Sequence, residues 1–235
     1  EAGETLAADD SLRVVVLSGN GRGFCAGLDM GSFQSMSDQK SDQSAGNLQS
    51  FDGGPANNAQ RPAYAWKRLP VPVIAAIHGV SFGGGLQIAL GADIRIAAPD
   101  AKLSVMEIKW GLIPDMSITQ TLRDLIPIDV AKELTFSGRI LSGQDASDLG
   151  LVTRVAENPL EAAMALAKEI AGKNPDAIRF GKQLFEESWH ADEATGLAME
   201  SRLQTTLSGT ENQLEAIKAN FENRSPAFGP ATLKA

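Results

Sequence analysis

The stretch V-P-V-I-A-A-I-H-G-V-S-F-G-G-G-L-Q-I-A-L-G-A-D, Val71 to Asp93, decides the fold. Val71, Val73, Ile74, Ala75, Ala76 and Ile77 make a short apolar run rich in β-branched residues, the pattern of a strand covered on both faces. Pro70 and Pro72 confine its start to positions that need no ladder donor. Gly83, Gly84 and Gly85 then permit a tight turn, and Leu86, Ile88, Ala89 and Leu90 predict a packed helix. A helix entered through glycines opens on free N–H groups that no side chain screens. Such donors can hold a negative oxygen, fixed or formed during a reaction.

Competing readings of this stretch fit less well. Gly79 and Gly84 have P-loop spacing, but Gly85 and Leu86 stand where Lys and Ser/Thr are required. The spacing from Gly79 to Gly83 breaks a dinucleotide fingerprint. No charge falls between Val71 and Ala92, yet Pro72, His78, Ser81, Gln87 and three glycines make a poor membrane span. The plain alternative is that the glycines only let a helix pack close to a strand.

Working outward, Arg13–Ser18 reads as a buried strand closed by Gly19-Asn20-Gly21, and Arg22–Met30 as a second glycine-bearing turn. Residues 32–60, rich in Ser, Gln, Asp, Asn and Gly, read as a loop with at most one short helix, either a site lid or plain disorder. Arg61–Leu69 is an expected helix. Asp93–Ala98 and Lys102–Glu107 are expected strands of a hairpin-like ββ unit, followed by helices over Met116–Leu125 and Asp129–Ser137. Ser142 with Asp145 resembles a capping box, and Leu151–Val155 a last strand. From Pro159 onward the composition is helical: Leu160–Ala171, Asp176–Ala191, Glu193–Leu207 and Glu211–Asn223, with Thr210 and Gln213 a second capping-box pair. The organisation expected is an α/β core over residues 1–158 and a helical region over 159–235.

The 235 residues suffice for one sizeable core. A net charge of −8 argues against a nucleic-acid partner but leaves open a small phosphate-bearing molecule. The one cysteine, Cys25, excludes an internal disulfide, and with two histidines no metal site is expected. The chain starts at Glu1, inside what reads as a helix end, so a preceding segment is expected. No membrane partner is expected, and the location expected is cytoplasmic.

No G-x-S-x-G elbow is read in the chain, so a hydrolase with that nucleophile turn is not expected. Cys25 as a nucleophile with His78 as base lacks a local cause for a lowered thiol pKa. His78 is expected to be structural and His190 solvated. Two acids stand out. Glu107 ends an apolar run, where a carboxylate is costly unless paired, hydrated or functional. Asp115 follows eight residues on, in a loop able to fold back beside it. A buried carboxylate has a raised pKa and can take a proton near neutral pH; two in one pocket can pass a proton between carbons. The alternative is structural: Glu107 paired with Lys109 or Arg95, and Asp115 capping a helix from Met116.

These pieces together resemble the crotonase, or enoyl-CoA hydratase/isomerase, family. R-G-F-C-A-G-L-D and A-A-I-H-G-V-S-F-G-G-G-L-Q-I-A-L-G-A-D-I-R-I-A resemble its two oxyanion-hole turns. L-S-V-M-E-I-K-W-G-L-I-P resembles its catalytic-glutamate segment, F-S-G-R-I-L-S-G-Q-D-A-S-D-L-G-L-V-T-R-V the segment that follows, and F-E-N-R-S-P-A-F its C-terminal signature. The resemblance runs in order from about residue 11 to the end. It implies a right-handed spiral of ββα units with C-terminal helices that build a homotrimer or hexamer. It implies an acyl-CoA thioester as substrate, with coenzyme A entering only as part of that substrate and no separate cofactor. Carried over, the oxyanion donors are the Leu28 and Gly84 N–H groups, and Glu107 is catalytic. Ala26, Gly27 and Asp29 line the CoA side, and Gly83, Gln87 and Met106 also bind the substrate. Losing one such donor costs roughly 3 kcal/mol of barrier.

Departures from the family pattern bear on the reaction. Hydratases of this family carry a second glutamate where Gln87 stands, and an amide cannot exchange protons at neutral pH. Asp115 matches an acid of the family's dienoyl-CoA isomerases, which also carry an aspartate in place of Gln87. The first expectation is therefore an isomerase that moves a double bond using Glu107 and Asp115. The alternatives are a hydratase using Glu107 with Gln87 positioning water, and an acyl-CoA-binding protein without catalysis.

Overall fold

The computed structural model describes residues 1–27 and 54–233. Contact density divides the chain into two units, one of residues 16–68 and 73–163, the other of 1–15, 69–72 and 164–235.

The first unit holds the strands. In chain order they are β1 (Val15–Ser18), β2 (Val73–Ile77), β3 (Val80–Phe82), β4 (Ile94–Ala97), β5 (Lys102–Ser104), β6 (Leu141–Ser142) and β7 (Arg154–Val155). One sheet has the order β1-β2-β4-β7 and the other β3-β5-β6. All five residues of β2 are buried, as the unbroken apolar run requires. It pairs in parallel with β4, Ile74 opposite Ile94 and Ile77 opposite Ala97.

The chain crosses from the first sheet to the second immediately after β2 and again after β4. Strands β3 and β5 are therefore parallel neighbours, with Val80 opposite Lys102. The segment after β1 does the same on a smaller scale, where Cys25 bridges Ser81 in parallel. Each turn of chain thus lays one strand beside its predecessor in both sheets, and helix α3 (Gly84–Leu90) separates the second turn from the third. This is the expected spiral of ββα units.

It also corrects the expected hairpin between β4 and β5. Their partners lie in different sheets, because Ala98 N–H donates to Ile77 O while Lys102 N–H donates to Gly79 O. The strand expected over Leu151–Val155 shrinks to two residues, since the Leu151 carbonyl is taken by the buried Arg95 guanidinium and Val152 N–H by Ala146 O. The helix expected from Met116 covers only Ile118–Thr121, because Ser117 ahead of it is left-handed at φ 67°. The Ser142–Asp145 capping box is present and opens a helix over Gly143–Asp148.

The second unit is helical. Its helices include α8 (Pro175–Ser188), capped by Asn174, and α9 (Glu193–Leu207), capped by Asp192. Phe180, Met199 and Leu203 form the core between them. The helix Glu211–Phe221 lacks the expected Thr210–Gln213 box. Thr210 Oγ1 turns back to donate to Leu207 O, and Gln213 Oε1 accepts from Gly209 N–H. Among the described residues no helix is long and apolar enough to cross a membrane.

Candidate active site

The site is assembled around the start of α3. Gly83, at φ 52°, turns the chain from β3 into the helix, and its N–H donates to Ser104 O across the sheet. The next N–H, that of Gly84, has no hydrogen-bond partner among the described residues. The first glycine turn is carried to this point by the β-type contacts of its own segment. Phe24 N–H donates to His78 O, Cys25 N–H to Val80 O, and Phe82 N–H to Cys25 O. Gly27, at φ 89°, is then so close that a Cβ placed on it would lie 2.7 Å from Phe82 O and 3.6 Å from Gly84 N. Gly27 is thus brought against the Gly84 donor, and Ala26 precedes it in the same turn. Leu28 and Asp29, the other expected members of this turn, lie outside the described residues, as does most of the expected loop of residues 32–60.

Glu107 comes from the opposite wall. Strand β5 ends at Ser104, and Glu107 opens a 3₁₀ turn (Glu107–Trp110) rather than ending a strand. Half-buried Met106 precedes it. The Glu107 carboxyl lies against Gly83, where an added Cβ would sit 3.3 Å from Oε1 and 3.6 Å from Cδ. One carboxylate oxygen is held: Gln87 Nε2 donates to Glu107 Oε1 at 2.6 Å. The other, Oε2, is buried with no hydrogen-bond partner. Burial pushes the Glu107 pKa above the ordinary carboxylate value; the Asp115 charge pushes the same way, while the Gln87 bond opposes both.

Gln87, one turn into α3, is itself fully committed to protein partners at the two atoms that matter. While Nε2 holds Glu107, Oε1 accepts the Met116 N–H at 2.8 Å. Asp115 is exposed beside this bond and makes no helix cap, since Ser117 occupies the N-cap position. Neither structural partner considered for Glu107 takes that role. Arg95 donates to Ala92 O and Leu151 O, and Lys109 lies over the Trp110 ring. His78 is half-buried, with Nε2 3.0 Å from Gly21 O.

One motif escaped the sequence reading. Gly79-Val80-Ser81-Phe82-Gly83 satisfies the letters G-x-S-x-G of a nucleophile elbow. The structure removes that role. An elbow serine sits on a sharp strand-to-helix turn with an exposed hydroxyl, whereas Ser81 lies within β3 and is 0% exposed. Among the described residues there is no cluster of three or more His, Cys, Asp or Glu able to hold a metal ion.

The geometry can therefore stabilise charge on an oxygen at Gly84 and move a proton with Glu107. Residues 1–231 match the family described as Enoyl-CoA hydratase/isomerase. Methylglutaconyl-CoA hydratase, mitochondrial, of Mus musculus is 34% identical over 235 residues, which cover 97% of this chain and 71% of that protein. The 2,3-dehydroadipyl-CoA hydratase of Escherichia coli (strain K12) is 33% identical over 230 residues, 96% of this chain and 84% of that protein. The crystal structure of enoyl-CoA hydratase from Bacillus anthracis superposes with a TM-score of 0.84 at 33% identity, covering 97% of this chain and 85% of that one. The chain belongs to the enoyl-CoA hydratase/isomerase (crotonase) family and is an enzyme of acyl-CoA chemistry.

Proposed function

We propose that the chain hydrates a 2-enoyl-CoA thioester with Glu107 as the acid–base group. One observation carries this reading: a buried carboxyl beside the Gly83–Gly84 turn, with Oε1 fixed by Gln87 and Oε2 unpartnered. The names of the mouse and E. coli relatives support the same reaction. The thioester oxygen is held by Gly84 N–H together with Leu28 N–H; Ala26, Gly27 and Asp29 face the CoA, and Gly83 and Met106 the acyl group. Glu107 takes a proton from water as the water oxygen bonds to Cβ. The double-bond electrons move onto the thioester oxygen, where the two N–H groups stabilise the enolate. Glu107 then returns the proton to Cα, so that one C–O and one C–H bond form and the carboxylate is restored. A raised pKa suits both halves, because the group must be a competent base and then a competent acid. Gln87 orients the carboxyl, and through it the water. Coenzyme A is part of the substrate, and no further cofactor takes part.

A second reading keeps its own support: the Asp115 charge acts on Glu107. In that reading Glu107 removes a proton from one carbon of an enoyl- or dienoyl-CoA, and the exposed Asp115, after taking a proton from solvent, delivers it to another carbon, which shifts the double bond; Glu107 then releases its proton to solvent. Incubation in ¹⁸O-water separates the two. Hydration loses the conjugated absorbance of 2-butenoyl-CoA and incorporates one labelled oxygen, and it survives Asp115→Asn. Isomerisation gains conjugation from 3-enoyl- or 3,5-dienoyl-CoA without label, and fails in Asp115→Asn. Under either reading Glu107→Gln is expected to lower kcat by about 10²–10⁴; an undiminished kcat rejects both.

Assembly into a homotrimer or hexamer is proposed as well. It is supported by large apolar side chains left exposed at the ends of the C-terminal helices, Trp189 at 64% and Phe221 at 84%. Light scattering is expected to give the mass of three or six chains, and a monomer at micromolar concentration would refute it. For location we propose the cytoplasm, whereas the mouse methylglutaconyl-CoA hydratase is named mitochondrial; fractionation of the source cells decides.

A further inference from the structure

Gly83 and Gly84 present two adjacent Cα faces, each without a side chain. The Glu107 carboxyl covers the first. The second is covered by Met116: a Cβ placed on Gly84 would lie 2.8 Å from its Sδ and 3.8 Å from its Cε. The sequence reading assigned Met116 no role, because the contact joins residues far apart in the chain.

The backbone under this side chain is fixed on both sides. Ahead of it, the Met116 N–H is held by Gln87 Oε1 at 2.8 Å. Behind it, Ser117 is a non-glycine residue at φ 67°, and its carbonyl accepts the N–H groups of Gln120 and Thr121 at 2.9 and 3.2 Å. A left-handed non-glycine residue persists only where its surroundings over-determine it. The only freedom left to Met116 is in its own torsions, which are those of an unbranched, adaptable thioether.

We infer that Met116 is a specificity-determining residue, the wall that limits the bulk of the acyl group next to the oxyanion donor. The inference rests on the reading of Gly84 N–H as that donor. With the thioester oxygen on Gly84 N–H, the first acyl carbons lie within a few bonds of that glycine, between the Glu107 carboxyl and the Met116 thioether. A slim, straight acyl chain passes by a change of methionine rotamer. A rigid, bulky substituent at Cβ meets a side chain whose backbone cannot withdraw.

The test compares kcat/KM for trans-2-butenoyl-CoA and 3-phenyl-2-propenoyl-CoA in the wild type, Met116→Ala and Met116→Leu. Met116→Ala is expected to raise the phenyl-to-butenoyl ratio at least about tenfold, mainly through KM, because a few methylene-sized groups in a pocket are worth that much or more. Met116→Leu, close in volume, is expected to stay within about threefold of the wild type. A ratio within about twofold of the wild type in a folded Met116→Ala protein overturns the proposal. Should Met116→Ala not fold, Met116→Val is read by the same criterion. If the wild type turns over neither substrate, the hydratase reading fails separately. The wall is then read from the Kd ratio of butanoyl-CoA and 3-phenylpropanoyl-CoA: a tenfold change in the alanine variant sustains it, and an unchanged ratio overturns it.

Discussion

Glu107 is the side chain on which the proposed chemistry rests, and the fold keeps it from water. Its sequence position announced it, because a carboxylate in an apolar run needs a reason. Its partner was not announced: Gln87 stands twenty residues away, and sequence alone displayed it only as a departure from a two-glutamate pattern. The sign of the pH effect follows from the direction of the shift. Folding raises the Glu107 pKa above its ordinary value of 4.5, so the folded protein binds this proton more tightly than the unfolded chain. The stability so gained is complete below the ordinary value and is lost as pH rises through the raised one. Glu107→Gln carries no such proton and escapes the loss. Thermal melts of both proteins across pH are expected to show a Tm difference that moves in favour of the variant as pH rises above 4.5 and levels off once Glu107 is ionised in the fold. A difference independent of pH would show that the carboxyl is not held out of water.

At the scale of elements, strands and helices with an unbroken pattern were legible, and those shaped by distant partners were not. Strand β2 and helices α8 and α9 follow from an apolar run and from caps that local residues supply. Helix Ile118–Thr121 and strand β7 fell short of the lengths expected because Ser117, Leu151 and Val152 answer to tertiary partners. The glycine turn shows the same division. Gly85 reads as a packing glycine, but only the fold reveals what it packs on: an added Cβ would lie 2.3 Å from Cys25 O, a backbone atom that cannot step aside. Gly181, inside α8, meets nothing within 4 Å. In urea titrations Gly85→Ala is expected to lose about 2 kcal/mol or more from overpacking. Gly181→Ala is expected to gain about 0.5–1 kcal/mol from helix propensity and a less flexible unfolded chain. Equal effects at the two sites would contradict the packing assigned to Gly85.

For the whole molecule, the helical unit is closed by a buried carboxylate rather than by apolar area alone. Asp176, at 0% exposure, accepts from Asn212 Nδ2 at 2.9 Å and from the N–H groups of Thr232 and Leu233 at 2.8 and 2.9 Å. Asp176→Ala removes the acceptor these three donors share, while Asn212 Nδ2 keeps its bond to Pro230 O, and it is expected to cost about 1–3 kcal/mol, with faster amide exchange at Thr232 and Leu233. Protection unchanged at those two amides would mean that the tail is held by other contacts. The sequence by itself determined the α/β core, the helical C-terminal region, the glycine-entered helix and the acid worth suspecting, because apolar period, caps and turn residues act over a few positions. Tertiary structure alone decided that β4 and β5 enter different sheets, that Ser81 is buried and no nucleophile, and that Gln87 joins Glu107 to Met116. Those outcomes depend on which distant backbone and side-chain groups satisfy one another once water is excluded, and no local pattern encodes that.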